Sequence, residues 1–356
     1  MDVGIRQAGF EVLGCVEFDK FACESLRANI LRAQASTRVY EVDIRQLAPE
    51  RLAENLSLIP GELDLLFGGP PCQSFSLAGK RLGLKDPRGP LLFEIIRFAR
   101  FFLPKVILLE QVKGLLSAKA EKNVKGEVFS TLLSQLESEG YTSKGRVLRA
   151  VEFGVPQLRE RLFVVATRDH NAFSFPNRTH ASIEECGELF GIRPFETVGT
   201  ALLGLGEPSH KIKGKTSYSG TDSHVDVTPD RDRERIAQVP EGSNLAAQSH
   251  LGENLRCGLT AKDTTKYLRT HRNKPANTLR CGEIFYHPVL NRYLTPREYM
   301  RIHGFPDDYV LCGPIRSRTG TVKNLDQHRQ VANSVPPPLA RKLGEIIRKY
   351  IDDQNL

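Results

Sequence analysis

The sequence predicts an α/β protein built on a doubly wound, mostly parallel sheet, followed by a second, smaller and irregular domain. Strand-like and helix-like segments alternate as far as residue 166, which is the pattern of such sheets. Three apolar runs border polar residues of chemical interest. Residues 63–67 lead into Gly68-Gly69-Pro70-Pro71-Cys72, residues 106–109 lead into Glu110, and residues 162–166 follow Gln157-Leu158-Arg159-Glu160-Arg161. From about residue 169 the alternation fails, and the stretch to about residue 291 is rich in Gly, Ser, Thr and charge.

Taken in order, residues 3–8 form a short helical pattern that Gly9 stops. Residues 11–16 read as a strand ending in Glu17-Phe18-Asp19, and residues 20–31 as a helix with Phe21, Leu26 and Ile30 on one side. Residues 38–42 form a further strand ending in Asp43-Ile44. Gly89-Pro90 opens a helix over 91–102, where Glu94, Arg97 and Arg100 make a polar stripe on an apolar cylinder. Val128, Phe129, Leu132, Leu133 and Leu136 mark the buried side of another helix, which Gly140 ends. Helical periodicity returns at Thr295-Pro296-Arg297-Glu298. A last helix over 338–351 carries Leu339, Leu343, Ile346, Ile347 and Tyr350 on one face, which is expected to pack back on the first domain. The domain boundaries read from this are 1–168, 169–325 and a returning segment 326–356.

With 356 residues, 40% hydrophobic and 26% charged, the chain has the composition of a soluble globular protein. No apolar run approaches the roughly 20 residues of a membrane span, and the N-terminus has no signal pattern, so a cytoplasmic location is expected. Seven scattered cysteines without a Cys-x-x-Cys pair suggest neither a disulfide framework nor a metal site. The net charge of +8 permits a polyanionic partner. Between Arg256 and Gly282 lie seven Lys or Arg residues (Arg256, Lys262, Lys266, Arg269, Arg272, Lys274, Arg280) against one acid, Asp263, with Tyr267 and His271 interleaved. A solvated loop is the plain reading of such a stretch; a groove holding phosphates and bases is the functional one.

Glycines that let backbone approach, followed by prolines that stiffen the turn, present Cys72 rather than pack it. In doubly wound sheets ligands bind outside the carboxyl ends of the strands, and Glu17, Asp43, Cys72 and Glu110 all stand there. Each acid alone reads as a cap or turn former. Together, on successive strands, they describe one crevice.

In their order and spacing, several segments resemble the DNA (cytosine-5)-methyltransferase family: residues 68–76, Asp86-Pro87-Arg88-Gly89, Glu110-Gln111-Val112, residues 154–161, residues 294–298 and residues 330–337. The resemblance runs from about residue 4 to 345. It implies the class I fold of S-adenosylmethionine-dependent methyltransferases with a target-recognition domain. It also implies methyl transfer from S-adenosyl-L-methionine to C5 of a cytosine flipped out of double-stranded DNA. Residue by residue, it makes Cys72 the nucleophile at C6, Glu110 the acid at N3, and Arg159 and Arg161 the groups that orient the base and lower the thiol pKa. It places Glu17 on the ribose, Phe18 on the adenine, Asp43 and Ile44 around its amine and ring, Pro71 and Leu91 along the pocket, and Asn333 with Val335 near the methionine end. DNA contacts are expected from Gln73, Ser76 and Arg297, and from Lys262, Lys266, Arg269 and Arg272 of the basic stretch. A monomer, working beside a cognate restriction endonuclease, is the expected setting.

Two departures bear on this reading. The family has Glu-Asn-Val where this chain has Glu110-Gln111-Val112, and the longer amide is expected to shift a loop that supports Cys72. Family members also open with a mid-sheet strand and a Phe-x-Gly-x-Gly type loop around the methionine portion of the cofactor, and this sequence starts after it. The expectation is two inner sheet edges left unpaired and a weakened hold on the cofactor. Two other readings stand beside the active enzyme: an impaired member that still binds DNA, and a tRNA cytosine-5 methyltransferase, against which the absence of a Cys-Phe-Thr signature argues.

Overall fold

The computed structural model describes residues 1–71, 89–120, 124–169, 171, 173–186, 191–210, 223–252, 259–260, 263, 266–282, 284–316 and 324–354. Its organising strand is β4 (Val106–Gln111), buried at every position. Strand β3 (Leu65–Gly68) pairs with it in parallel, and β7 (Glu160–Thr167) pairs antiparallel on the other side. The order is β3-β4-β7-β5, with β5 (Thr142–Arg149) antiparallel to β7 at the edge. Side chains of β4 alternate between faces, as the two-residue period of a strand requires. Val106 and Leu108 enter one apolar cluster, Ile107 and Leu109 the cluster on the opposite face.

Both faces are covered. On one, α1 (Asp2–Gln7) packs against the last helix, α11 (Pro337–Asp353), and Ile5, Leu339, Leu343 and Ile347 join Val106 and Leu108. The two helices meet closely because Gly4 and Gly344 face each other's helix. A Cβ at Gly4 would lie 2.4 Å from the Pro337 carbonyl, and one at Gly344 would lie 2.7 Å from the Ala8 side chain. On the other face lie α4 (Glu94–Phe102) and α5 (Glu127–Ser138), with Ile95, Ile96, Leu132 and Leu136 buried. Leu91, expected to begin α4, instead belongs to a 3-10 turn over Gly89–Phe93.

A second parallel pair, β1 (Gly14–Glu17) and β2 (Arg38–Glu41), carries α2 (Lys20–Arg32) and is followed by α3 (Pro49–Leu56). The fully buried positions of α2 are Cys23 and Ser25, and Phe21, Leu26 and Ile30 are half-buried. Among the described residues β1 and β3 are not hydrogen-bonded to each other or to any further strand, so each presents an unpaired edge. They nevertheless share both flanking clusters: Cys15 and Phe67 pack into one, Val16 and Leu66 into the other. The sheet is mostly parallel with one reversed strand: β7 runs against β4, while β5, antiparallel to β7, runs the same way as β4.

Residues after β7 form a second core in which short elements surround Val198, Ile236, Leu268, Phe285, Tyr286, Tyr299 and Met300. The short elements along this stretch are β8 (His180–Ala181), α6 (Ile183–Cys186), β9 (Arg193–Pro194), α7 (Val198–Leu202), β10 (Ser209–His210), β11 (Val225–Asp226) and α8 (Asp230–Ala237), of which α7 and α8 contribute Val198 and Ile236 to the core. Strand β12 (Ala276–Asn277) pairs with β6 (Gln157–Leu158) and so ties this core to the first. Helix α9 (Pro296–Ile302) starts on a reciprocal cap between Thr295 and Glu298, with proline in its first turn. Glu298 is also held by a two-pronged, buried ion pair with Arg292 at 2.7 Å on each prong. Burial alone would raise the Glu298 pKa, but the Arg292 contact outweighs it and the net shift is downward. Helix α10 (Gln327–Asn333) leads into α11. No helix among the described residues is long and apolar enough to cross a membrane.

Candidate active site

The site is assembled at the carboxyl ends of β1, β3 and β4. Glu110 stands near the end of β4 and is 7% exposed. Its Oε1 lies 2.9 Å from Nε of Arg161, which projects from β7 and also donates to the Glu160 carbonyl. Gly69 closes on the same carboxylate: a Cβ there would sit 3.2 Å from Glu110 Oε2, so glycine lets the turn after β3 pass. Gln111 is fully buried, and its amide donates to the Pro70 carbonyl at 2.8 Å. The longer amide therefore reaches and anchors the Gly-Gly-Pro-Pro turn. Gln111 Oε1 is buried without a hydrogen-bond partner among the described residues.

Pro71 is half-buried and is the last described residue before the loop. Cys72, Gln73 and Ser76 lie outside the described residues, as does Lys262. The turn that delivers Cys72 thus starts beside a carboxylic acid paired with a guanidinium. Such a group can donate or share a proton with a ring nitrogen while the cation balances its charge.

Arg159 takes a different place from the one expected. It stands between β6 and β7, is 2% exposed, and donates to the carbonyls of Ala332 and Ser334, each at 3.0 Å. Its guanidinium clamps the turn after α10; orienting a base would require breaking those bonds. The same correction applies to two arginines expected on DNA. Arg297 is buried and donates to the carbonyls of Asp307 and Tyr309. Arg269 is buried and donates to carbonyls of Ile236, Val239, His287, Pro288 and Val289. Both hold loops, which suits a planar fork of donors. Lys266 and Arg272 do reach the surface, paired with Asp263 and Glu241 respectively.

Glu17 ends β1, and its Oε1 accepts from the backbone N–H groups of Phe18 and Asp19 at 2.8 and 2.9 Å. Its other oxygen has no partner among the described residues, and burial raises its pKa despite those two donors. Phe18 is 67% exposed, an aromatic face open at a strand tip and not a core residue. Asp43 caps the turn Ile44–Gln46, and its pKa is lowered by the side chain of Arg45, which pairs with it. Because β1 and β2 run parallel, Glu17 and Asp43 leave the sheet at the same end. An acceptor, an aromatic face and a second acid so placed fit a nucleoside. Ile44 packs into the cluster of Leu47, Leu52 and Phe98, and Leu91 is half-buried. Asn333 Oδ1 accepts from the Cys281 thiol at 2.7 Å. Val335, expected near the methionine end, is 4% exposed and turns its side chain into the main core.

The family model for C-5 cytosine-specific DNA methylases matches residues 1–349. The chain belongs to this family. It is 31% identical over 359 residues to the Type II methyltransferase M.NgoFVII of Neisseria gonorrhoeae, covering 99% of this chain and 84% of that protein. It is 31% identical over 351 residues to M1.HphI of Haemophilus parahaemolyticus, covering 98% and 83%. Among solved structures, a prophage-encoded DNA modification methyltransferase candidate from E. coli superimposes with a TM-score of 0.70 at 20% identity, over 98% of this chain and 95% of that one. Spodoptera frugiperda DNMT2 does so with a TM-score of 0.52 at 18% identity, over 98% and 96%. These likenesses carry the fold, and the family model carries the activity of a DNA cytosine-5 methyltransferase.

Sequence reasoning missed Asp19. Buried at 4%, it caps α2 through Ala22 N–H and accepts from Leu325 N–H at 2.7 Å, tying the turn after β1 to the returning segment. An Asp directly before a helix was the available signal.

Proposed function

We propose that this methylase adds its methyl group through a transient covalent bond between Cys72 and C6 of a cytosine flipped out of double-stranded DNA. The Glu110–Arg161 pair beside the start of the Cys72 turn carries the proposal. Cytosine C5 is too weak a nucleophile to be methylated directly. Addition of the Cys72 thiolate at C6 pushes electron density onto the ring, and Glu110 gives a proton to N3, so that C5 gains carbanion character. S-adenosylmethionine, held at the ends of β1 and β2, would supply an electrophilic methyl group to C5. Loss of the C5 proton then expels the thiolate and restores the ring. Glu17 would accept from the ribose, Phe18 would stack on the adenine, and Asp43, with its neighbour Ile44, would take the exocyclic amine.

The residues after 168 serve as the target-recognition domain in this reading, and residues 326–356 return to the first. Lys266 and Arg272, which reach the surface in ion pairs with Asp263 and Glu241, would contact phosphates by exchanging those partners. The similarity to Type II methyltransferases supports a role as the modifying partner of a restriction endonuclease, acting in the cytoplasm as a monomer. The test is transfer of labelled methyl groups to duplex DNA, followed by an exchange of residues 186–290 with those of another family member. The methylated sequence is expected to move with the segment. Methylation that stays at the original sequence places recognition in the first domain.

Glu17 adds a pH prediction. Its raised pKa means that the protonated form is favoured on folding. That contribution to stability is present below the ordinary carboxylate pKa and is lost as pH rises through the raised value. Cofactor binding runs the other way, because the ribose needs an ionised acceptor. Affinity for S-adenosylmethionine is expected to weaken as pH falls through the raised value. Glu17→Gln should bind more weakly throughout, with that slope removed. Titration calorimetry at several pH values reads both; an unchanged slope in Glu17→Gln assigns the titration elsewhere.

A further inference from the structure

Three segments distant in sequence meet at two fully buried polar side chains, Gln157 and His303. Gln157 pairs with Ala276 of β12, and its Oε1 accepts from Leu279 N–H at 3.1 Å. That bond fixes the amide orientation, since the reverse would set its NH2 group against another donor. Gln157 Nε2 therefore donates to His303 Nδ1 at 2.9 Å, and His303 Nε2 donates to the Ser334 carbonyl at 3.0 Å. A carbonyl only accepts, so the ring carries its proton on Nε2 and is neutral. Burial, followed by the nearby Arg159 charge, pushes the ring well toward that neutral form. The result is a chain of donors running one way, from Leu279 N–H through Gln157 and His303 to Ser334.

The ends of this chain are what give it meaning. Leu279 lies in the strip of the second domain that also pairs Ala276 N–H with the Pro156 carbonyl and Thr278 Oγ1 with the Leu158 carbonyl. Two residues on, Cys281 reaches Asn333. The Ser334 carbonyl accepts from both His303 and Arg159. Arg159 is two residues from Arg161, which holds Glu110. The strip 276–281, the arginine run and the turn after α10 are thereby set in one register.

We propose that Gln157 and His303 are positioning residues for methyl transfer, which hold residues 276–281 of the second domain, the run from Arg159 to Arg161 and the turn 332–334 in the alignment the reaction needs. This rests on the reading of Glu110 and Arg161 given above. A displacement of about 1 Å at such a site can cost on the order of a hundredfold in rate. Glu17, Phe18 and Asp43, proposed for the adenosine end of the cofactor, and the exposed basic side chains of the second domain lie outside this network, so binding of DNA and cofactor should change little.

The test compares His303→Met with His303→Gln in the full chain. Glutamine can accept from Gln157 with its oxygen and donate to Ser334 with its nitrogen, whereas methionine can do neither. His303→Met is expected to lower kcat about tenfold to a hundredfold, with KM for DNA and for S-adenosylmethionine within about threefold of the parent. His303→Gln is expected to restore kcat to within about threefold. If His303→Met is too unstable to assay, Gln157→Met removes the same bond from the other side and is held to the same criterion. A folded Met variant with parental kcat, or a Gln variant as impaired as the Met one, overturns the proposal. Glu110→Gln measured alongside separates the two readings: full activity there sinks the catalytic assignment itself, while a dead Glu110→Gln beside an unaffected His303→Met sinks only the positioning role.

Discussion

Cys72→Ser lowers methyl transfer to duplex DNA by roughly 10⁴-fold or more, the scale on which loss of a covalent nucleophile is felt. A hydroxyl has almost no anionic fraction at neutral pH, whereas a thiol with an ordinary pKa near 8.5 already has some, and a neighbouring cation increases it. DNA binding by Cys72→Ser should persist, since the exposed basic side chains of the second domain are untouched. Filter binding and methyl transfer measured on the same preparation check this. Transfer within about tenfold of the parent would mean that the thiol is not the nucleophile.

Glu110→Gln is expected to reduce kcat by about 10²–10⁴-fold, the usual contribution of a positioned proton donor. The substitution is nearly isosteric, and the amide oxygen can still accept from Arg161 Nε, which the carboxylate does at 2.9 Å. Fold and pocket shape should therefore survive while the proton for N3 is lost. The effect belongs in kcat rather than in KM, because N3 needs that proton only once C6 has been attacked. Steady-state kinetics with the DNA held saturating reads it, and a kcat within about threefold of the parent removes Glu110 from the chemistry.

Much of the first domain is legible in the sequence because its central strands are apolar runs with abrupt polar ends. The positions of Glu17, Asp43 and Glu110 at one end of the sheet follow from that pattern. Strand β5 was not legible. It is an edge strand carrying Lys144, Gly145 and Arg146, and its exposed positions leave no apolar run to recognise. The antiparallel direction of β7 was equally hidden, since direction depends on the connection and not on side-chain periodicity.

The arginines show a different limit. Composition cannot tell a guanidinium facing phosphate from one donating to backbone carbonyls, and Arg159, Arg269 and Arg297 all proved to be the second kind. Arg161 differs because its partner, Glu110, is itself a chemical group of the site. Gln111 was rightly singled out as a departure, but the consequence was visible only when its amide met the Pro70 carbonyl. His303 left no signal at all: a single histidine at a helix end reads as an ordinary terminus until Gln157 and Ser334 are found on either side of it.

Trapping is the direct test of the covalent bond between Cys72 and C6. Duplex DNA carrying 5-fluorocytosine at the methylated position, incubated with the protein and S-adenosylmethionine, should stall after methyl transfer because fluorine cannot leave as the C5 proton does. The prediction is a denaturation-resistant protein–DNA adduct that peptide mass spectrometry places on Cys72, and no adduct with Cys72→Ser. An adduct on another cysteine such as Cys281 or Cys312, or methyl transfer that proceeds without any adduct, would contradict it.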